Sequence, residues 1–531
     1  MSAAYAGADH QGSVRHGRAD HYVQKILRAM ATPTDRVALH WRDRAITAGE
    51  FAGSVADAAA ALSRAGVIAG RMVAILTVPS HPMMLTVRYA AHLLGAGVVH
   101  IRSMNPRSDA ESLPIAVQAD VLRATNATVL VVDGDNAERG RRLADEVRGV
   151  TVLDGRTDLD RRGDPVPAFA PFVRDDLALI DFTSGSTNRP KMVRQLFGTR
   201  QTLIDRLAAS ADRDEPATLL SVTPLGHAGA PMVDAILAGG GTVVLHEDFD
   251  AGRTLRAIAE LRVTDVYLGV PHLYRLLEHP GVTRTDLSSL RQMIYSATPA
   301  APARIAAALE IFGDRLIQVY GTTEAGGVTC LTQLDHREPE LLGSVGRPFP
   351  WVQIAVRHPE SGVEVPRGEI GEVYVQSPTV MDGYLCTDTT SGTAPEVTRD
   401  GWLRTGDLGR WDRYGYLRLT GRVGNVVKSG GLKVYPAAIE RALLAHPTVH
   451  NAVVYGVRDH DYVERVHAAV ERRAGARCDI RALAAHVAET LSAAHVPQVI
   501  TLWDRLPLLA SGKPDQAAIR SRGEVSTEEL K

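Results

Sequence analysis

The sequence predicts an α/β protein: a large N-terminal domain of helix-covered sheets with a small antiparallel β subdomain, then a small mobile α+β C-terminal domain. Three observations predict it. Short apolar runs alternate with helical patterns up to about Ser344. The texture then changes to brief strands separated by Gly and Pro turns, and after Gly421-Arg422 a helix–strand–helix order returns. At 531 residues the chain is also too long for one hydrophobic core. The expected division is a disordered lead-in over 1–20, an N-terminal domain over 21–421 and a C-terminal domain over 422–531.

The elements follow in order. Met72 to Thr77 (MVAILT) reads as a buried strand, Met83 to Leu94 as a helix, and Val98 to Ile101 as a second strand. Further strands are expected at Val129 to Val132, Leu177 to Ile180, Leu219 to Val222, Thr242 to Leu245 and Val266 to Val270. Helical patterns occupy Thr254 to Leu261 and Ala303 to Phe312 between and after them. The runs VQIAV, GEVYV and GYLRL predict the antiparallel subdomain. In the last part Ala437 to Leu444 and Ile480 to Leu491 read as helices, and Val449 to Val457 as a strand.

Composition narrows the function classes. The chain is 45% hydrophobic and 23% charged with net charge −2, so it has no basic excess with which to neutralise nucleic-acid phosphates. The longest apolar run, around Ala90 to Val99, is interrupted by His92 and glycines and is too short to span a bilayer, so no membrane insertion is expected. The first residues lack the continuous apolar stretch of a signal peptide. Cys330, Cys386 and Cys478 have no metal-ligand spacing and predict no disulfide framework, which fits a reducing cytoplasm. Six lysines stand against fifty-three arginines, so the remaining lysines are candidates for positions where a compact ammonium on a flexible stem is needed.

Four of those lysines sit in informative segments. Asp181 to Val193 (DFTSGSTNRPKMV) follows an apolar strand with four hydroxyls (Thr183, Ser184, Ser186 and Thr187), a turn-permitting Gly185, and Lys191. Backbone N–H groups in such a loop can converge on phosphate oxygens, and Lys191 adds a positive charge. The common Gly-Lys-Ser/Thr phosphate loop is excluded, because Lys191 lies between Pro190 and Met192. A polar surface loop would share this composition. Further along come Ser296-Ala297-Thr298, Val319 to Ala325 (VYGTTEA), Gly401 to Asp407 (GWLRTGD), Gly421-Arg422, Lys428 to Val434 (KSGGLKV), and Leu506-Pro507 with Ser511-Gly512-Lys513.

In this order, over nearly the whole chain, the motifs resemble those of the adenylate-forming superfamily: acyl-CoA synthetases, peptide-synthetase adenylation domains and luciferases. The resemblance implies that the 183–191 loop holds the phosphates of ATP, that Thr323 contacts the α-phosphate and that Glu324 holds Mg²⁺, a hard cation that wants oxygen ligands. It implies an adenine and ribose site of Ser296, Ala297, Thr298, Tyr320, Gly321, Asp407 and Arg422. Lys513 would be the catalytic lysine. Gly424, Lys428, Gly430, Gly431 and Lys433 would form the hinge and the channel for an incoming thiol. Four positions depart from the family pattern: Asn188 and Met192 replace loop glycines, Gly424 replaces a charged hinge residue, and Ala438 replaces a frequent glutamate.

His227 occupies the position where amino-acid-activating relatives carry an aspartate, so a standard α-amino acid is disfavoured. A packed histidine without substrate contact is the alternative reading. With Gly229, Ala230, Gly326 and Gly327 nearby, a roomy, largely apolar pocket for an aryl or acyl acid is expected. The resemblance therefore implies ATP- and Mg²⁺-dependent activation of a small-molecule carboxylic acid as its adenylate, then transfer to a thiol, CoA first among candidates. An acyl-carrier protein as acceptor, an unusual acid such as nitrite activated toward an amine, and a non-catalytic nucleotide binder remain as alternatives.

Overall fold

The computed structural model describes residues 21–101, 114–159, 165, 167–183, 191–210, 215–226, 229–385, 397–398, 400–429, 432–458, 464–509 and 513–523. The α/β expectation holds. Strand Met72–Leu76 is buried along its whole length, as its unbroken apolar run requires of a strand covered on both faces. It pairs in parallel with Gly97–His100 on one side and Ala127–Val132 on the other. These three, with Thr151–Asp154, Leu177–Thr183, Lys191–Leu196 and the short Gly383–Tyr384, make a seven-stranded sheet. A nine-stranded sheet lies beside it, its centre the parallel strands Thr218–Ser221, Thr242–Leu245, Asp265–Gly269, Gln292–Ser296 and Leu316–Thr322.

Helix Pro82–Leu93 is buried at every position, so its apolar surface must meet neighbours all round. One hydrophobic cluster runs through it from strand residues Val73 and Ile75 to Leu219 and Val243, which joins the two large sheets into one body. A charged group sits inside that cluster. Arg88 and Arg200, both fully buried, share the Asp234 carboxylate, which also accepts a 2.6 Å hydrogen bond from the Tyr89 hydroxyl. A lone buried charge would be costly, and the paired arrangement locks three helices together.

A four-stranded antiparallel sheet follows: Gln353–Arg357, Gly371–Gln376, Leu403–Trp411 and Leu417–Arg422. Beyond the 3₁₀ turn Val423–Asn425 comes the hairpin Val427–Ser429 and Leu432–Val434. Helices Pro436–Ala445 and Ile480–Thr490 then cover the three-stranded sheet of Val449–Arg458, Glu464–Arg472 and Val499–Trp503. This last unit docks on the first. Ala301 joins the cluster of Val427, Val434 and Ile439. Glu278 accepts from Arg304 at 2.7 Å and lies 2.7 Å from His450 Nδ1, whose Nε2 is 3.7 Å from Glu471.

Several strands escape a reading by apolar runs. The hairpin Val37–Trp41 and Arg44–Thr47, strand Gly326–Leu331, and the edge strand Val499–Trp503 mix polar residues or glycines into short segments. The expected helix Thr254 to Leu261 starts earlier, at Ala251, because Asp250 caps it by accepting from Arg253 N.

Candidate active site

The site is built where strand ends from three sheets meet. Strand Leu316–Thr322 carries Tyr320 and Gly321, then turns through Thr323 and Glu324 into the antiparallel Gly326–Leu331. The turn is tight. A Cβ on Gly321 would fall 2.2 Å from Gly326 O, so no other residue fits without moving backbone. Thr322 Oγ1 accepts from Ala325 N, and Thr379 Oγ1 donates to Ala325 O, which fixes the loop from both ends. Glu324 is buried and Thr323 exposed at its tip.

Asp407 stands opposite. It is 5% exposed and registers across from Arg422, whose Nε donates to Oδ1 at 2.8 Å. The Tyr320 hydroxyl donates to Oδ2 at 2.7 Å. Burial and then the Asp407 charge push the Tyr320 phenol well above its ordinary value, so it stays a donor. Asp407 in turn holds the Arg422 guanidinium firmly charged. Each carboxylate oxygen keeps a lone pair for a further donor.

Lys513 reaches this group from the C-terminal unit. Its backbone is held by Leu509 N donating to Lys513 O at 2.7 Å and by a bridge between Leu508 and Pro514. Burial and the neighbouring Arg422 lower its ammonium below the usual lysine range, while Asp407 and Glu324 pull the other way. The charges of Arg422, Asp407 and Glu324 therefore all act on Lys513. A partly buried lysine near two carboxylates and an arginine is a positive charge held close to the nucleotide-binding residues.

On the other side, Thr183 pairs in register with Lys191 across the antiparallel strands that flank the hydroxyl-rich loop. The Lys191 ammonium lies 5.7 Å from the centre of the Tyr384 ring. Tyr384 donates from its hydroxyl to Glu324 Oε1 at 2.8 Å. Met192, the departure after the lysine, pairs with Phe182 and packs with Leu385 against a core cluster, so here its side chain has a packing role.

The Ser296-Ala297-Thr298 segment follows the end of strand Gln292–Ser296, and Ala297 has φ 83°. That left-handed conformation is uncommon for a residue with a Cβ and marks a strained backbone beside the site. Ser296 also hydrogen-bonds the buried Tyr267 hydroxyl. The expected roominess at the pocket glycines is partly filled. A Cβ on Gly229 would lie 3.2 Å from Tyr267, and one on Gly327 would lie 3.1 Å from Phe349, so these glycines accommodate aromatic rings.

Gly424 is exposed in the 3₁₀ turn, with open space where a Cβ would be. Lys428 and Lys433 pair across the small hairpin by their main chains. Ser184, Gly185, Ser186, Thr187, Asn188, His227, Gly430 and Gly431 lie outside the described residues, as do the 1–20 lead-in and Cys386. Three residues of the site gave no sequence signal: Tyr384, Tyr267 and Phe349. Each owes its place to a long-range contact.

Comparison with known proteins matches residues 27–385 to the AMP-binding enzyme model and residues 438–513 to the AMP-binding enzyme C-terminal domain model. A feruloyl-CoA synthase from Amycolatopsis sp is 34% identical over 500 residues, spanning 94% of this chain and 98% of its own. An amide bond synthetase from Marinactinospora thermotolerans superposes with a TM-score of 0.82 at 34% identity, covering 94% of this chain and 99% of that one. An o-succinylbenzoate CoA synthetase from Bacillus subtilis, solved with ATP and magnesium, superposes with a TM-score of 0.80 at 26% identity, covering 93% and 99%.

Proposed function

This chain belongs to the AMP-binding enzyme family, and we propose that it activates an aryl or acyl carboxylic acid with ATP and passes the acyl group to the thiol of CoA. The observation that carries the proposal is the Tyr320–Asp407–Arg422 hydrogen-bonded group, with Lys513 of the C-terminal unit lying within the electrostatic reach of Arg422, Asp407 and Glu324. In the first step a carboxylate oxygen attacks the α-phosphorus of ATP, the bond to the bridging oxygen breaks, and pyrophosphate leaves with the electron pair. Negative charge builds on the α-phosphate, and the Lys513 ammonium stabilises it. Asp407 accepts from the ribose hydroxyls, with Arg422 beside it and Tyr320 setting the carboxylate's orientation. Ser296, Ala297, Thr298 and Gly321 border the base, Thr323 meets the α-phosphate, and the loop ending at Lys191 takes the outer phosphates.

The residues fit Mg²⁺. No group of three or more His, Cys, Asp or Glu side chains among the described residues could hold a metal by itself, whereas Glu324 offers one hard carboxylate. Mg²⁺ is held in this way, by one or two carboxylates together with substrate phosphates. When bound it supplies charge neutralisation at the phosphates.

In the second step the thiol sulfur attacks the acyl carbon, the acyl–phosphate bond breaks, and AMP departs. Gly424 gives the linker the freedom to reorient the C-terminal unit between steps, and the hairpin carrying Lys428 and Lys433 would border the thiol's path. The relative that makes feruloyl-CoA supports an aryl acid and a CoA acceptor, and the rings of Tyr267 and Phe349 suit an aromatic substrate. A second reading has a specific basis: the amide bond synthetase is as similar in sequence as that relative, which favours an amine in place of the thiol.

Pyrophosphate release with a panel of aryl, acyl and amino acids tests the first step, and mass identification of products with CoA or amines tests the second. Release with aryl or acyl acids and a thioester product are expected. No release with any acid would refute the activation, and amide products alone would establish the amine reading.

A further inference from the structure

Residues Met381 to Leu385 join two parts of the molecule that belong to different sheets. Met381 N donates to Glu324 O at 2.7 Å, anchoring the main chain of the turn that ends the nine-stranded sheet's strand. Asp382 N donates to Arg194 O at 3.0 Å, Leu385 N donates to Met192 O at 2.9 Å, and the Asp382 and Arg194 side chains form an ion pair at 2.9 Å. Tyr384 pairs in register with Val193 in the seven-stranded sheet. Within that frame its side chain does two things: the hydroxyl donates to Glu324 Oε1 at 2.8 Å, and the ring faces the Lys191 ammonium at 5.7 Å.

We propose that Tyr384 is a positioning residue for the magnesium-bound phosphates of ATP, holding the Glu324 carboxylate through its hydroxyl and the Lys191 ammonium through its ring. The inference rests on the roles proposed above for Glu324 and Lys191. The chemistry of the phenol suits it. A neutral donor orients a carboxylate without cancelling its charge, whereas an arginine in the same place would compete with a divalent cation for that charge. With Oε1 given to the hydroxyl, the carboxylate keeps its second oxygen for a ligand. The ring contact lies within cation–π range and restrains a long, flexible side chain that would otherwise have to be ordered on binding. One tyrosine thereby sets the spacing between a metal carboxylate and a phosphate cation that come from separate sheets.

Isothermal titration of the full-length protein with ATP, with and without Mg²⁺, tests this in wild type, Tyr384→Phe, Tyr384→Leu and Glu324→Gln. Tyr384→Phe keeps the ring, so affinity for metal-free ATP stays close to wild type. The gain in affinity on adding Mg²⁺ falls about tenfold, the scale on which outer partners of metal ligands act. Tyr384→Leu weakens ATP binding under both conditions. A wild-type Mg²⁺ gain in Tyr384→Phe, beside a lost gain in Glu324→Gln, would overturn the role of Tyr384 and leave the reading of Glu324 standing. An equal loss with and without the metal in Tyr384→Phe would make the tyrosine a packing residue and overturn the proposal as well. An unchanged gain in Glu324→Gln would remove Glu324 from the metal site, and the proposal with it.

Discussion

At the scale of single residues, Lys513 has the clearest consequence. Its ammonium is lowered from the ordinary lysine value of 10.5, first by burial and second by the Arg422 charge. Below its shifted pKa the side chain is charged and can stabilise the α-phosphate; above it, the proton is gone and so is that stabilisation. The rate of pyrophosphate release should therefore fall on an alkaline limb centred below 10.5, and a rate that holds level up to that pH would contradict the assignment. Lys513 was expected from the sequence because lysine is rare in this chain and the family resemblance aligns it with a catalytic lysine, although Ser-Gly-Lys by itself is an unspecific signal. Tyr384 was not, since tyrosine is common and its partners Glu324 and Lys191 are far away in sequence. Gly321 falls between: the motif flagged it, but only the 2.2 Å approach to Gly326 O explains why a glycine is required.

At the scale of elements, the docking of the C-terminal sheet on helices Val270–Glu278 and Pro302–Phe312 decides which step the site is arranged for. Glu278 sits between Arg304 of its own domain and His450 of the C-terminal strand Val449–Arg458. The contact is present in the same arrangement that sets Lys513 in the field of Arg422, Asp407 and Glu324, so strengthening or weakening it is expected to act on the adenylating step. Glu278→Gln preserves the shape and removes the charge. Because Glu278 is partly exposed, the loss is about 1 kcal/mol, roughly fivefold in the rate of pyrophosphate release. Transfer of the acyl group from preformed adenylate should be unaffected or faster, which stopped-flow with the isolated adenylate can measure. Equal slowing of both steps would argue against the contact acting on domain arrangement. The strand Val449–Arg458 was predicted from its apolar residues, but nothing in a linear sequence pairs His450 with a helix more than a hundred and seventy residues earlier.

At the scale of the whole molecule, the α/β class and the order of its parts were readable because buried parallel strands leave unbroken apolar runs, as in Met72–Leu76. Edge strands such as Arg44–Thr47 were not, because exposure on one side lets polar residues in. The candidate site's residues were expected from motifs, while the contacts among them, such as Tyr320 and Arg422 on Asp407, were not. Strand ends from three sheets and a lysine from a separate unit meet only after folding, and the Arg88–Asp234–Arg200 group keeps the two large sheets aligned beneath them.

The central claim is that Lys513 serves the bond-making step at a nucleotide site that the N-terminal residues bind on their own. The direct test is Lys513→Ala, measured for pyrophosphate release and for ATP affinity in the same preparation. The account predicts release slowed by about a hundredfold or more, the scale of removing one transition-state donor, with ATP affinity within a few-fold of wild type. Near-normal release would contradict it.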